Sequence, residues 1–271
     1  MEKQAKNNSK KTIRKTIKRK SKETIIVYFV LRVLVIACMV AQSMHGNWNN
    51  VFLCALTLIM FTFPTIISNK LNIELPSFLE ITVYLFIFAA EILGEIQNFY
   101  GIFKHWDTML HTLNGFLCAA VGFSLIDIIN REEKFHIKMS PLFLSIVAFC
   151  FSMTIGVLWE FFEFTADKYF LLDMQKDRVV QVVSSVELNK ENKNVPIIIK
   201  DIEKTVIHTK EDTVVIEDGY LELGRNDTMK DLFVNFIGAI VFSILGFLYV
   251  KNRDEYIIIE KFIPTFKKKL Y

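Results

Sequence analysis

In Gly156-Val-Leu-Trp159-Glu160-Phe-Phe-Glu163-Phe164, with Asp167 just beyond, three acids stand at i, i+3 and i+7, which places them on one face of a helix. The same test picks out Asp107, His111 and Asn114, then Asp227, Asp231 and Asn235, and finally Glu91, Glu95 and Asn98. Carboxylates crowded into a low-dielectric cleft cannot all ionise without counter-charge, so such stripes imply bound cations, basic partners or protonated acids. Asp107, His111, Glu160 and Asp231 offer the N and O donors that suit zinc, manganese or iron. The same chemistry lets Glu160, Glu163 and His111 serve as general acids and bases. No His-Glu-x-x-His, paired Glu-x-x-His, Gly-x-Ser-x-Gly or glycine-rich phosphate loop occurs. The cofactor is therefore unknown, a divalent cation being the one these ligand types admit, and whether a reaction takes place stays open. Plainer readings stand beside these: acids decorate membrane boundaries, and a lone helical His is more often a hydrogen-bonded structural residue than a ligand.

The elements that must position these residues are membrane helices. The 271 residues are 52% hydrophobic with 25 Phe and a mean hydropathy of +0.33. The apolar residues gather into runs of about twenty, the length that crosses a hydrocarbon core of about 30 Å. Spans are expected at 24–44, 50–67, 78–97, 111–129, 141–164 and 229–250. The fold class is an all-α integral membrane protein, a six-transmembrane helix bundle with a small extracytoplasmic β-rich insertion. Its parts are a basic cytoplasmic tail at 1–23, five spans within 24–172, the insertion at 173–226, a sixth span at 227–250 and a second basic tail at 251–271. The Ala41-Gln-Ser43 stretch after the first apolar run is an imperfect cleavage site, so that run is read as a retained span.

Charge sets the orientation. The N-terminal tail carries ten Lys and Arg between Lys3 and Lys22, Lys134 and Lys138 follow the fourth span, and Lys251 to Lys269 are basic again. By the positive-inside rule both termini are cytoplasmic, in the plasma membrane of a bacterium, and the insertion is outside. Nucleic acid is not the partner this pattern suits; membrane lipid is. Cys38, Cys54, Cys118 and Cys150 lie within apolar runs without ligand spacing and read as small buried hydrophobes. Within the insertion, alternating β-branched runs such as Thr213-Val-Val-Ile-Glu217 argue for short strands, with a helix over 188–205 as the open alternative.

Placed by depth, the stripes converge. Glu91 and Glu95, Asp107 and His111, Glu160, Glu163 and Asp167, and Asp227, Asp231 and Asn235 all fall at the outer ends of their spans, whereas simple boundary decoration would populate both faces alike. These ten residues are the candidate ligand-binding set. Arg32, inside the first span, either snorkels to the cytoplasmic surface or reaches toward Glu91. Phe99, Tyr100, Trp106, Trp159, Phe161 and Phe162 read as interfacial anchors.

The combination Trp106-Asp107-x3-His111-x3-Gly115, Gly156-Val-Leu-Trp159-Glu160-Phe-Phe-Glu163, and Asn226-Asp227-x3-Asp231-x3-Asn235-x2-Gly238 resembles the YjdF-like family of bacterial inner-membrane proteins, over residues 78–250. That family has no assigned function. More distantly the chain is similar to VanZ-like proteins, which share an Asp-x3-His helix, an acidic helix and a final Asp-x3-Asn-x2-Gly helix. The resemblance implies functional roles for Asp107, His111, Glu160, Glu163, Asp227, Asp231 and Asn235. It departs from the VanZ-like pattern at Glu160 and Glu163, where those proteins carry Glu-x2-Gln, and in the long insertion. The expectation is an outward-facing site that binds a cation or a polar cell-envelope ligand, such as the headgroup or peptide of a lipid-linked cell-wall precursor, with processing of that ligand left open. The alternatives are a cation- or proton-coupled transporter and a scaffold acting through the insertion.

Overall fold

Among the described residues, six helices are long and apolar enough to cross a membrane. The computed structural model describes residues 21–70, 72–131, 139–191, 194–253 and 255–267; the tail at 1–20 and the basic residues Lys134, Lys138, Lys268 and Lys269 lie outside these. The first span is α1 (Lys22–Met44), whose opening turn is capped by the Ser21 hydroxyl accepting from the Thr24 N–H. The second is broken into α2 (Trp48–Met60) and α3 (Phe63–Lys70). Pro64 sits in the first turn of α3, where its missing N–H has no helical partner to lose.

Strand β1 (Ile73–Glu74) precedes α4 (Ser77–Phe88), which runs on into a π-helical segment, Ala89–Ile96. After the short α5 (Phe99–Ile102) come α6 (Trp106–Arg131), α7 (Pro141–Phe170) and α8 (Arg225–Lys251). These three start or end beyond the expected spans. At 30 residues α7 is about 45 Å long, so roughly ten of its residues stand clear of a 30 Å hydrocarbon core.

The helices form two packed groups. Leu31 and Val35 of α1, Cys54 and Phe61 around α2, and Tyr84 and Ile87 of α4 make one core. Ala119, Ala120 and Phe123 of α6, Ala148 of α7, and Ala239 and Phe242 of α8 make the other. Two glycines set the spacing of the second group. A Cβ on Gly115 would lie 2.1 Å from the Asn235 carbonyl oxygen, and one on Gly238 would lie 2.0 Å from that of Thr112. Helices without a water-driven force between them rely on such close backbone approach.

The insertion consists of two-stranded antiparallel ribbons, as the alternation implies. They pair β2 (Arg178–Val180) with β7 (Tyr220–Glu222), β3 (Val183–Ser185) with β4 (Ile197–Ile199), and β5 (Lys204–His208) with β6 (Thr213–Glu217). The helical alternative over 188–205 is overturned, since β4 and the start of β5 occupy it. The stretch after α8, expected as a tail, folds back: Ile259 and Ile263 are buried in the second core, and β8 (Thr265–Phe266) pairs with β1.

Candidate functional site

The first turns of α6 and α8 enter the bundle from the same end, and each brings an acid, Asp107 and Asp227, to its positive helix terminus. One turn further, His111 Nε2 lies 3.4 Å from Asp107 Oδ1 and 3.8 Å from Asp231 Oδ2. Donor atoms of Asp107, His111 and Asp231 all fall within 4.8 Å of one another. Across them lies Lys230, its Nζ 2.6 Å from Asp107 Oδ2, 3.5 Å from Asp231 Oδ1 and 4.0 Å from Asp227 Oδ1.

Asn235 floors the site. It accepts a hydrogen bond at 3.2 Å from Asn114 Nδ2, and its own amide is given room by Gly156, where a Cβ would come within 2.7 Å of Asn235 Nδ2. The Ser152 hydroxyl donates to the Gly115 carbonyl at 2.7 Å, tying α7 to α6 just below.

From α7, Glu160 and Glu163 are both buried. Glu163 Oε1 accepts from Trp159 Nε1 at 2.7 Å. Glu160 Oε2 is buried with no hydrogen-bond partner, although Gln175 and Thr228 lie beside the carboxyl group. Asp167 is differently used: its two oxygens accept from the Met174 and Gln175 N–H groups at 2.7 and 2.8 Å. Asp227 does the same for the Lys176 N–H at 2.9 Å while Arg178 approaches to 3.7 Å. The insertion is thus rooted in the site through backbone donors.

The third stripe arrives by another route. The π-helical turn changes the phase of Glu91 and Glu95, and Asn98 takes a left-handed conformation (φ 56°) that ends the run, so the expected i, i+4, i+7 face is not continued. Glu91 is buried and Glu95 lies 3.9 Å from Lys176 Nζ. Tyr100, read as an anchor, instead packs its ring against Gly94. Burial, then the charges of Glu95, Asp107, Glu91 and Glu163, hold its phenol above the usual tyrosine range. That places it where the acids of three elements meet. Arg32 donates to the Tyr28 hydroxyl at 2.7 Å, one turn toward the start of α1, the direction of the snorkelling alternative.

Residue types alone did not point to Lys230, Lys176, Gln175 or Tyr100. For Lys230 a signal existed, because Asp227-x2-Lys230-Asp231 is a helical i, i+3 charge pair. Lys176 and Gln175 reach the site only because the loop after α7 folds back over it.

Apolar spanning helices closed at one end by a buried acidic cluster define a multi-pass membrane protein. The chain belongs to the DUF2238 family of predicted membrane proteins, whose model matches residues 24–252. This is the YjdF-like family; the matches do not extend to the VanZ-like group. The chain is also 27% identical over 105 residues to an uncharacterized protein of Thermotoga maritima, covering 39% of this chain and 52% of that one. It therefore spans about half the length of the curated relative it matches. No solved structure matches it.

Proposed function

We propose that this end of the molecule is an extracytoplasmic binding site for a divalent cation, held by Asp107, His111 and Asp231 with Glu160 within reach. In this reading the protein lies in a bacterial plasma membrane with both termini in the cytoplasm. The observation that carries it is the gathering of three ligand-type atoms within 4.8 Å in a cluster whose acids outnumber its bases. Glu160 Oε2, buried and unsatisfied, adds support. Lys230 is then the resident counter-charge, which yields its place when a cation enters. A polar cell-envelope ligand would engage the same cation through its phosphate or carboxylate oxygens.

A transport relay has less support. Immediately past Asn235 the α6–α8 interface is filled by Ala119, Phe123, Ala239 and Phe242, each wholly buried, an apolar layer that sets the site apart from the buried Ser124, Ser243 and Asp127 beyond it.

Titration of the purified protein with Zn²⁺, Mn²⁺, Mg²⁺ and Ca²⁺ by calorimetry, with elemental analysis of the protein as isolated, tests the reading. His111→Ala and Asp231→Asn should each weaken binding by about tenfold or more. Lys230→Met should tighten it, because the competing ammonium is gone. Absence of binding in the unaltered protein, or equal binding in all variants, would overturn the proposal.

A further inference from the structure

No group among the described residues answers the Glu91 carboxylate. The residue is 7% exposed, and no hydrogen bond or ion pair from those residues reaches its side chain. The charge that bears on it comes from another acid, Glu95, one turn nearer the end of the span. Tyr100 shares the condition. Its hydroxyl has no hydrogen-bond partner among the described residues, while the charges of Glu95, Asp107, Glu91 and Glu163 all act on its phenol. Buried polar groups are normally hydrogen-bonded, so two unsatisfied groups within each other's field call for a physical reason.

Local structure brings these oxygens together. The π-helical segment carries Glu91 and Glu95 at i and i+4, with Gly94 between them. A Cβ on Gly94 would run into the Tyr100 ring, so the glycine lets the phenol lie against the segment. Trp106 Nε1 donates to the Ala89 carbonyl at 3.3 Å, which fastens the start of α6 to the same segment. Glu95 is 34% exposed, and its Oε1 lies 3.9 Å from Lys176 Nζ, too far for a hydrogen bond. That ammonium also stands 5.9 Å from the centre of the Tyr100 ring. Glu95 therefore forms a water-facing mouth and Glu91 the buried end, with Lys176, itself 35% exposed, as the counter-charge at the mouth.

A carboxylate inside a membrane bundle without a counter-charge is costly to keep for packing alone, and it marks a functional site by default. The donors here are all oxygens, two carboxylates and a phenol. That set suits a hard cation, in contrast to the mixed N and O donors around His111. We infer that Glu91, Glu95 and Tyr100 hold a second cation, Mg²⁺ or Ca²⁺, which enters past Glu95 as Lys176 withdraws toward Asp173. Asp173 is already within reach, its Oδ2 3.8 Å from Lys176 Nζ and its carbonyl accepting from the same ammonium. The inference stands on the unanswered Glu91, independently of whether the His111 set binds a metal.

The test uses the full-length chain carrying His111→Ala and Asp231→Asn together, in phosphatidylcholine nanodiscs, so that the first cation set is disabled. Calorimetric titration with CaCl₂ and, separately, with MgCl₂ should still show about one equivalent of one of the ions bound. Adding Glu91→Gln or Glu95→Gln should weaken that binding by about tenfold or more, and adding Tyr100→Phe by about threefold. Lys176→Met should tighten it by about threefold, because a competing ammonium at a partly exposed pair is gone. Glu91→Gln should melt no lower than its parent, which separates lost ligation from lost fold. Glu95→Gln, at a partly exposed position, carries the test should Glu91→Gln fail to fold. A double variant that binds neither ion, or binding unchanged by both glutamines, would overturn the inference and leave the His111 reading standing. Binding lost with Glu91→Gln alone, yet unchanged in the double variant, would support this site and overturn the other.

Discussion

The two ends of the α6–α8 bundle treat buried charge in opposite ways. Away from the site, three acids each meet a donor of their own. Asp127, wholly buried, takes Arg253 Nη2 at 2.9 Å, buried Glu80 takes the Tyr84 hydroxyl at 2.8 Å, and the exposed Glu260 takes that of Tyr249 at 3.2 Å. At the site, Asp107, Asp227 and Asp231 share Lys230. Burial is common to both ends, so burial does not mark function here. What differs is the match between charges and donors: a matched acid fastens two elements, and a surplus of acids leaves capacity for something from outside.

Substitutions can break or sharpen that contrast. The largest effect is expected from Arg253→Ala, which removes a charge partner of the wholly buried Asp127 and should cost about 3 kcal/mol in unfolding experiments in detergent. Wild-type stability in this variant would erase the distinction between the ends. Gly238→Ala comes next. Its new methyl meets backbone at Thr112, which cannot step aside, so about 2 kcal/mol should be lost, with looser cation binding as α6 and α8 separate. Glu160→Gln should go the other way: stability unchanged or raised by about 1 kcal/mol, because a surplus buried charge is removed, together with weaker cation binding. A clear loss of stability would show that Glu160 is a structural acid like Asp127. The smallest effect is expected for Asp167→Asn, which weakens two backbone hydrogen bonds for about 1 kcal/mol and should expose residues near Met174 and Gln175 to protease.

Much of this architecture is legible in the sequence, for physical reasons. Spans are read from hydropathy over about twenty residues, and the helical step from Asp107 to His111, or from Asp227 to Asp231, is local geometry. The meeting of α6 and α8 follows once both stripes are assigned the same depth. Other features depend on distant contacts that no local window contains. The fold-back of residues 259–266 onto the core is one, because a short apolar stretch flanked by Lys reads as a tail until its partner β1 is known. The break between α2 and α3 is another: Pro64 permits it but does not require it. The role of Asp167 was hidden by its own regular spacing, since a helix face predicts direction and not the identity of the partner.

The π-helical segment at Ala89–Ile96 leaves the third span out of phase with itself. Its residues before Ala89 answer to the packing of α1 and α2, and beyond it Ile92 and Ile96 keep to that core while Gly94 and Glu95 turn to Tyr100 and Lys176. A deletion of one residue within the segment, restoring 3.6 residues per turn, would rotate everything downstream by about 100°. Glu95 would then turn away from Lys176 although no residue of the site had been touched. The extra residue acts as a phase adjuster between two helical groups, so the angular setting of one can be tuned without repacking the other.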